Sequence, residues 1–600
     1  MELAMRKDVP VSETWDLSLI YRTEEEFQAA VEKMTALAEK ICAEYPGKLQ
    51  DADTIVRCLS DYEAYLKIEI LVGSYTGLAA SVDYYDTEIQ EKDSRISAVL
   101  AEQASRLSFI RSEILECSED VIREAIEKTD SAKGFLSDLL RDKPHRLSKE
   151  TERVLAAFRE TFYAPERIYN MAKLADMKFP NFTVNGKEYP LGYSLFEDDY
   201  EYERDTDVRR AAFRAFSDKI RQYENVTAEV YNTNVKTDKT ESRIRGFKDV
   251  FDYLLFDQKV TREMYDRQID LITEKLAPHM RKYAKLIQKI YGLDKMTFAD
   301  LKLPLDPDYD PKVTIEESHQ YVREGLSILG EDYVSMIDEA YRDRWIDFAK
   351  NQGKMTGGFC SSPYDRGSFI LLSWNNRMSD VFTIAHELGH AGHFRNANRE
   401  QSLWDTEVST YFVEAPSTMN EILLAHHLLK TNDDPRFRRW VLSCMIGNTY
   451  YHNFVTHLRE AWYQREVYKI IDAGGSVNAE TLSGIFRKNL EVFWGDTVEL
   501  TEGAELTWMR QPHYYMGLYS YTYSAGLTVA TQAALRIERE GKPAVEDWKK
   551  VLCAGSTLDP AGLAKLAGID ITTDRPLLDT IDYIGSIVDE IEKLTEEIGE

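Results

Sequence analysis

Cysteine, glycine and proline are all scarce in this 600-residue chain, which has 6 cysteines, 30 glycines and 17 prolines. The cysteines are scattered and none belongs to a Cys-x-x-Cys pair, so neither a disulfide framework nor a thiolate zinc site is indicated. The low glycine and proline content excludes a collagen-like, low-complexity or loop-dominated β protein. These absences favour a folded, helix-rich protein in a reducing compartment.

Positive charge is also in short supply, since 74 lysines and arginines stand against 103 aspartates and glutamates, which gives a net charge of −29. Such a chain repels phosphate backbones and anionic lipid surfaces, so neither a nucleic acid nor a membrane is an expected partner. The N-terminus turns polar before an apolar stretch develops, and no run of about 18 apolar residues occurs. We therefore expect a soluble, cytoplasmic protein.

Amphipathic helices are predicted over most of the chain, because apolar residues recur every three or four positions. Phe27, Val31 and Met34 begin such a pattern near the N-terminus, and the same periodicity returns in the middle of the chain and in its C-terminal third. Asn185-Gly186 lies between two short β-prone runs, which predicts a hairpin and a lobe boundary. The sequence therefore indicates a mainly α-helical fold with little β structure.

Histidine is rare, with 11 in the chain, yet eight of them lie between His386 and His513. Within this segment, His386 and His390 are four residues apart in a His-Glu-x-x-His motif, so on a helix both rings project from one face and can bind one ion. Glu387 lies beside them and is expected to face the same cleft. The motif predicts a metal site with an acidic residue next to it.

A catalytic zinc ion needs three protein ligands and one open position, so a third ligand must follow the motif. A metzincin would need a glycine at position 393 and a histidine at position 396, but the chain has His393 and Asn396. A thermolysin-like spacing lands on Ser409 or Thr410, and neither supplies a carboxylate. Four acidic residues remain as candidates: Glu400, Glu407, Glu414 and Glu421.

Two segments of the chain together resemble the sequence pattern of a known family. His386-Glu-Leu-Gly-His-Ala-Gly-His393, followed by Phe412-Val-Glu-Ala-Pro-Ser417, resembles the thimet oligopeptidase family, whose pattern is His-Glu-x-Gly-His-x-x-His and then Phe-x-Glu-x-Pro-Ser. The stretches Pro10–Leu17 and Ala175–Pro180 resemble its bacterial oligoendopeptidase F branch, so the resemblance spans nearly the whole chain. It implies that Glu414 is the third ligand of one Zn²⁺ per chain, with His386 and His390.

The resemblance also implies an architecture and an activity. The fold would be a multi-lobed helical metallopeptidase that encloses a substrate channel, with a small β-sheet near the active site. Residues 1–195 would form an N-terminal helical lobe that ends in the β-hairpin, and residues 196–600 the zinc-peptidase domain. The enzyme would hydrolyse internal bonds of short unstructured peptides, with Glu387 as the general base. Gly367–Trp374 would be an edge strand onto which an extended peptide can add; the alternative is a buried strand in a small sheet.

A tyrosine-rich segment supplies further candidates, since five tyrosines and one histidine lie in the eleven positions from 513 to 523. The family places a histidine and tyrosines opposite the zinc, where they donate hydrogen bonds to the developing oxyanion. By this resemblance His513 and Tyr523 match best, and Tyr521 is next. The alternative is that the segment only packs, although each buried phenol then needs a hydrogen-bond partner.

Several residues keep a structural interpretation beside the functional one. His393 is expected to be hydrogen-bonded rather than a ligand, and His426, His427, His452 and His457 are interpreted as ordinary polar positions. Glu421 is either an acceptor for the free ring N–H of a zinc-bound histidine or a solvated helix charge.

Pro416 is expected to kink or break the helix beside Glu414. Two rival functions also remain open: a catalytically inactive helical peptide-binding or scaffold protein, and a peptidase that trims only chain ends.

Overall fold

Helices account for most of the computed structural model, which describes residues 3–599, and the predicted mainly α-helical fold is confirmed. The N-terminal helices are α1 (Glu24–Glu44), α2 (Ala52–Ser81), α3 (Thr87–Leu107), α4 (Phe109–Glu116), α5 (Glu119–Lys128), α6 (Lys133–Asp142), α7 (Lys149–Ala157), α8 (Arg159–Phe162) and α9 (Ala164–Met171). The central helices are α10 (Thr206–Arg221), α11 (Glu224–Ile244), α12 (Val250–Phe256), α13 (Arg262–Leu271), α14 (Ala277–Ile290), α15 (Ile315–Gly325) and α16 (Glu331–Arg342).

The C-terminal helices carry the predicted site. They are α17 (Met378–Glu400), α18 (Glu414–Thr431), α19 (Pro435–Cys444), α20 (His457–Asp472), α21 (Ala479–Trp494), α22 (Tyr521–Glu540), α23 (Lys542–Cys553), α24 (Pro560–Leu566) and α25 (Arg575–Ile598). A π-helical segment, Met445–Thr456, joins α19 to α20. Within residues 3–599, none of the helices is both long enough and apolar enough to cross a membrane.

The predicted hairpin is confirmed. Strands β1 (Phe182–Val184) and β2 (Lys187–Tyr189) pair antiparallel, and the two residues between them form the turn. Asn185 and Gly186 both have positive φ, 51° and 77°, which is the conformation that a two-residue hairpin turn of this type requires.

A second sheet has three strands, β3 (Ile346–Asp347), β4 (Phe359–Ser361) and β5 (Phe369–Leu371), in the order β3-β5-β4. Strand β5 pairs parallel with β3 and antiparallel with β4. Of the two interpretations of Gly367–Trp374, the edge strand is therefore wrong and the buried strand in a small sheet is confirmed, because the centre of the segment is the buried middle strand. A continuous apolar run is typical of a strand that is buried on both faces, and β5 is such a run.

Apolar side chains form two clusters, and the three-stranded sheet joins them. The smaller cluster is built from α1 to α6 and includes Phe369 and Leu371 of β5. The larger one extends from the β-hairpin to α25 and includes Ile370 and Leu372. Successive side chains of a strand point to opposite faces, so this one segment packs into both clusters. The division of the chain into lobes at residue 195 stays a prediction. Phe182 of the hairpin, which was assigned to the N-terminal lobe, packs in the larger cluster.

Candidate active site

Helix α17 carries the two histidines of the motif and holds their rings side by side. The helix begins at Met378, and the carboxylate of Asp380 accepts a hydrogen bond from the backbone N–H of Arg377, 3.1 Å away. His386 and His390 are one helical turn apart, and their ring centroids are separated by 4.9 Å. The four-residue spacing therefore places both rings on one face, as predicted from the sequence.

Helix α18 brings Glu414 to these rings because it packs very closely on α17. A Cβ atom at Gly389 would lie only 2.5 Å from the backbone oxygen of Pro416, so the absence of a side chain permits the contact. Glu414 Oε2 then lies 3.4 Å from Nε2 of His386 and 3.4 Å from Nε2 of His390. One nitrogen or oxygen from each of the three residues lies within 4.8 Å of the other two.

Pro416 causes no break beside Glu414, contrary to the expectation from the sequence. Helix α18 begins at Glu414, so Pro416 occupies its first turn. The backbone N–H groups of a first turn have no partner within the helix, and proline is therefore tolerated there without a kink. The hydroxyl of Ser417 donates a hydrogen bond to Oε2 of Glu414 over 2.9 Å and helps to fix that carboxylate.

Negative charge accumulates around the two histidines. Burial alone would raise the pKa of Glu414, but hydrogen bonding and the charges of His390 and His386 lower it to about 2. Burial alone would lower the pKa of His386, but the carboxylates of Glu421, Glu414 and Glu387 raise it to about 9. Both shifts have the same cause, the attraction between the carboxylates and the histidine rings, which favours the charged form of each.

Glu421 lies behind His386 and determines which ring nitrogen is free. Its Oε1 is 2.6 Å from Nδ1 of His386, while its Oε2 accepts a hydrogen bond from the hydroxyl of Thr449 over 2.5 Å. Nε2 of His386 is therefore left for Glu414 and for an ion. Glu421 thus contacts the ring in the manner of a supporting acceptor rather than a solvated charge.

His393 is buried, and burial lowers the pKa of its ring to about 3, so it stays neutral.

Glu387 is only 5% exposed, and within residues 3–599 its Oε2 atom has no hydrogen-bond partner. Burial raises the pKa of this carboxyl, although the neighbouring histidines oppose the shift. The chain before β4 passes close by: a Cβ atom at Gly358 would lie 3.2 Å from Oε1 of Glu387. A buried carboxylate with a free oxygen and a raised pKa is suited to exchanging a proton with a reactant.

His513 and Tyr523 line a cavity of about 720 Å³. Tyr523 lies in the first turn of α22, and its ring centroid is 5.6 Å from that of His513. One turn later, a Cβ atom at Gly526 would lie 3.4 Å from Cβ of Glu414, so α22 packs against the start of α18. Burial raises the pKa of Tyr523, with contributions from Tyr519 and Glu414, so its hydroxyl remains a donor.

Tyr521 does not lie with His513 and Tyr523 at the cavity. Its ring is buried, it is not among the residues that line the cavity, and its hydroxyl donates a hydrogen bond of 2.5 Å to Oε1 of Gln258. The side chain has the hydroxyl partner that a packing role requires.

Two residues that sequence reasoning missed lie next to His513. Oε2 of Glu460 is 3.3 Å from Nδ1 of His513 and 2.9 Å from Nδ1 of His457. The interpretation of His457 as an ordinary polar position is wrong, because its ring is 2% exposed and also contacts His452, with 3.0 Å between the two Nε2 atoms. A histidine and a glutamate three residues apart on one helix face, in a histidine-poor chain, were the available signal.

Comparison with known proteins gives one consistent family. The profile of Peptidase family M3 matches residues 200–583, and that of Oligopeptidase F matches residues 113–179. The chain is 28% identical to "Oligopeptidase PepF" of Bacillus subtilis over 602 residues, which covers 99% of this chain and 89% of that protein.

Solved structures have the same fold. Oligoendopeptidase-F from Enterococcus faecium superposes with a TM-score of 0.73 at 22% identity, covering 95% of this chain and 99% of that one. A protein from Chlamydophila abortus superposes with a TM-score of 0.89 at 20% identity, covering 99% of this chain and 100% of the other. The profile match covers more than half of the chain, so the protein belongs to peptidase family M3 and is a metallo-endopeptidase.

Proposed function

We propose that this chain is a zinc-dependent oligoendopeptidase that holds one zinc ion with His386, His390 and Glu414 and hydrolyses internal bonds of short unstructured peptides. The observation that carries the proposal is that one possible ligand atom from each of these three residues lies within 4.8 Å of the other two. The buried carboxylate of Glu387 lies on the same helix as the two histidines. The names of the relatives, which describe oligopeptidases, support the substrate class.

The donor set fits zinc. Two imidazole nitrogens and one carboxylate oxygen, with an open position, are typical of catalytic zinc sites. Glu421 would support the ion through Nδ1 of His386, as carboxylates commonly do for metal-bound histidines. The site is also reachable, since the side chains of His386 and Glu414 are 27% and 22% exposed. When bound, zinc polarises the scissile carbonyl and lowers the pKa of water to about 7.

Glu387 performs the proton transfers in this proposal. Its carboxylate takes a proton from the attacking water as the new C–O bond forms, and gives it to the leaving amine nitrogen as the C–N bond breaks. Burial supports both steps, because a raised pKa lets the same group accept and then release a proton.

His513 and Tyr523 are proposed to donate hydrogen bonds to the carbonyl oxygen as negative charge develops on it. Both residues line the same cavity, and α22 contacts the start of α18, where Glu414 lies; these two observations support the role. Tyr521 was the next candidate from the sequence, and its hydroxyl is already bonded to Gln258, so we assign it a packing role.

We also propose a cytoplasmic location, because the six scattered cysteines indicate a reducing compartment.

Hydrolysis of an internally quenched peptide with blocked ends tests the function. Activity should disappear on chelation and return when zinc is added back, whereas an enzyme that trims only chain ends would not cleave this substrate. Glu387→Gln should keep the zinc and lose roughly 10²–10⁴-fold in kcat. Glu400→Gln, at the last residue of α17, is the matched control and should be fully active. Near-normal turnover of Glu387→Gln would refute its assigned role.

A further inference from the structure

We propose that His457, Glu460 and His513 form a second site for a divalent transition-metal ion, separate from the three ligands on α17 and α18. One possible ligand atom from each of the three residues lies within 4.8 Å of the other two. Among residues 3–599, only this group and the first one bring three such side chains so close together. The second group uses the same donor set as the first, two imidazoles and one carboxylate.

The three side chains converge on one oxygen atom. Oε2 of Glu460 lies 2.9 Å from Nδ1 of His457 and 3.3 Å from Nδ1 of His513. Both histidines therefore direct the same ring nitrogen to the same point. His457 and Glu460 are three residues apart on α20, a spacing that helical carboxylate–histidine metal sites also use.

Glu460 carries an unsatisfied acceptor that an ion would satisfy. The residue is 1% exposed, and its Oε1 atom has no hydrogen-bond partner within the part of the chain that the structure describes. Oε2 has its partners already, including the hydroxyl of Ser520 at 3.0 Å. Leaving a buried carboxylate oxygen without a partner is costly, and a cation bound between both oxygens and the rings would remove that cost.

His452 supplies the outer partner that metal-bound histidines normally have. Its Nε2 lies 3.0 Å from Nε2 of His457, on the side of the ring away from Glu460. With Nδ1 of His457 on an ion, Nε2 carries the proton and can donate it to His452. His452, His457 and His513 all line the cavity of about 720 Å³, which gives an ion a path from solvent.

The chemistry of these donors selects the ion. Imidazole nitrogens favour zinc, nickel, cobalt and copper, whereas calcium and magnesium prefer sites made only of oxygen ligands. The site therefore takes a borderline ion of the zinc class. The net charge of −29 raises the local concentration of any cation.

Occupancy would also fix the tautomer of His513, a consequence that rests on the proposed function. With Nδ1 on the ion, a neutral His513 carries its proton on Nε2, and no described side chain hydrogen-bonds to that nitrogen. His513 would then present an N–H to the cavity, as a donor to the oxyanion must.

Metal stoichiometry tests the second site without any measurement of activity. Apo-protein is prepared with a chelator, dialysed against zinc and passed through a desalting column, and the zinc per chain is counted. We expect about two ions in the unmodified protein, about one in His457→Ala, about one in Glu414→Ala, and almost none in the double variant. His319→Gln removes a surface histidine–carboxylate pair and should keep both ions.

The outcomes separate the two sites. One ion in the unmodified protein and one in His457→Ala would overturn the second site, and so would two ions in every second-site variant. Zinc content that is unchanged in Glu414→Ala but falls in His457→Ala would refute the first site and leave the second intact. His513→Gln, at a more exposed ring, repeats the test if His457→Ala does not fold, with circular dichroism as the folding check.

Discussion

At the residue scale, the site depends on which ring nitrogen of each histidine is already taken. A histidine whose Nδ1 faces a carboxylate, or an ion that this carboxylate holds, is left with Nε2 for a further partner. Glu421 occupies Nδ1 of His386, and Glu460 occupies Nδ1 of His513. The half-buried Glu421 and the buried Glu460 therefore orient the two histidines for different partners, one for the metal and one for the cavity.

Replacement of Glu421 tests this orientation. In Glu421→Gln, the acceptor for the ring N–H of His386 is a neutral amide oxygen instead of a carboxylate. The ring should therefore be less basic and less firmly held in position. We expect zinc to bind roughly 10–100-fold more weakly, as measured by competition with a chelator at fixed pH. Glu407→Gln, at an exposed glutamate in the same region, should bind zinc with unchanged affinity. Equal affinities in both variants would show that Glu421 does not support the metal.

The two tyrosines of α22 give a matched comparison in which only a hydroxyl is removed. In Tyr523→Phe, kcat should fall roughly 10²–10³-fold with little change in KM, because the lost hydrogen bond strengthens only as charge develops. In Tyr521→Phe, kcat should persist, and the free energy of unfolding should fall by about 1 kcal/mol because Gln258 loses its donor. Steady-state kinetics and denaturant titration distinguish these results. The opposite pattern would exchange the two roles.

At the scale of elements, the site exists because two helices approach more closely than side chains normally allow. The motif on α17 includes Gly389 between its two histidines, and the backbone of Pro416 and Ser417 fills the space that a side chain would need. The first turn of α18 is thereby placed over the histidines. Glycine is at this position for packing, although it is an unfavourable residue within a helix.

A single methyl group tests the helix contact. In Gly389→Ala the new Cβ would lie 2.5 Å from backbone atoms of Pro416 and Ser417, and backbone cannot rotate aside as a side chain can. We expect a loss of about 1–3 kcal/mol in the free energy of unfolding, and weaker zinc binding because Glu414 moves with α18.

Gly484 of α21 provides the control, since a Cβ atom there would meet nothing within 4 Å. Gly484→Ala should be neutral or stabilising by up to about 1 kcal/mol. Denaturant titration and metal analysis of both variants check the pair. A Gly389→Ala protein as stable as Gly484→Ala would contradict the packing account.

At the scale of the whole molecule, the net charge of −29 acts on every peptide that approaches. The summed field attracts cationic peptides and repels acidic ones at low ionic strength, and salt screens both effects over about 10 Å at 0.1 M. The kcat/KM for a lysine-rich peptide should therefore fall as salt rises, whereas that for a glutamate-rich peptide of the same length should rise.

Parallel assays of the two peptides from low to moderate salt provide the measurement, with a neutral peptide as the control for general salt effects. If both charged peptides responded to salt in the same direction, long-range attraction would have no part in substrate capture.

The sequence by itself determined the features that rest on local interactions. Apolar periodicity is enough to form helices, Asn185-Gly186 is enough to close a hairpin, and a four-residue spacing is enough to place His386 and His390 on one face. The choice of Glu414 from the four candidate glutamates came from the family resemblance. Spacing along the chain does not tell which of these glutamates packs against the two histidines.

Tertiary structure decided everything that depends on contacts between elements far apart in the chain. It made β5 a central strand rather than an edge, because β3 and β4 both pair with it. It gave Tyr521 and Tyr523 different surroundings, and it joined His457 and Glu460 to His513, more than 50 residues further along the chain. Such contacts depend on how the helices pack, and neither hydrophobic periodicity nor motif spacing encodes that packing.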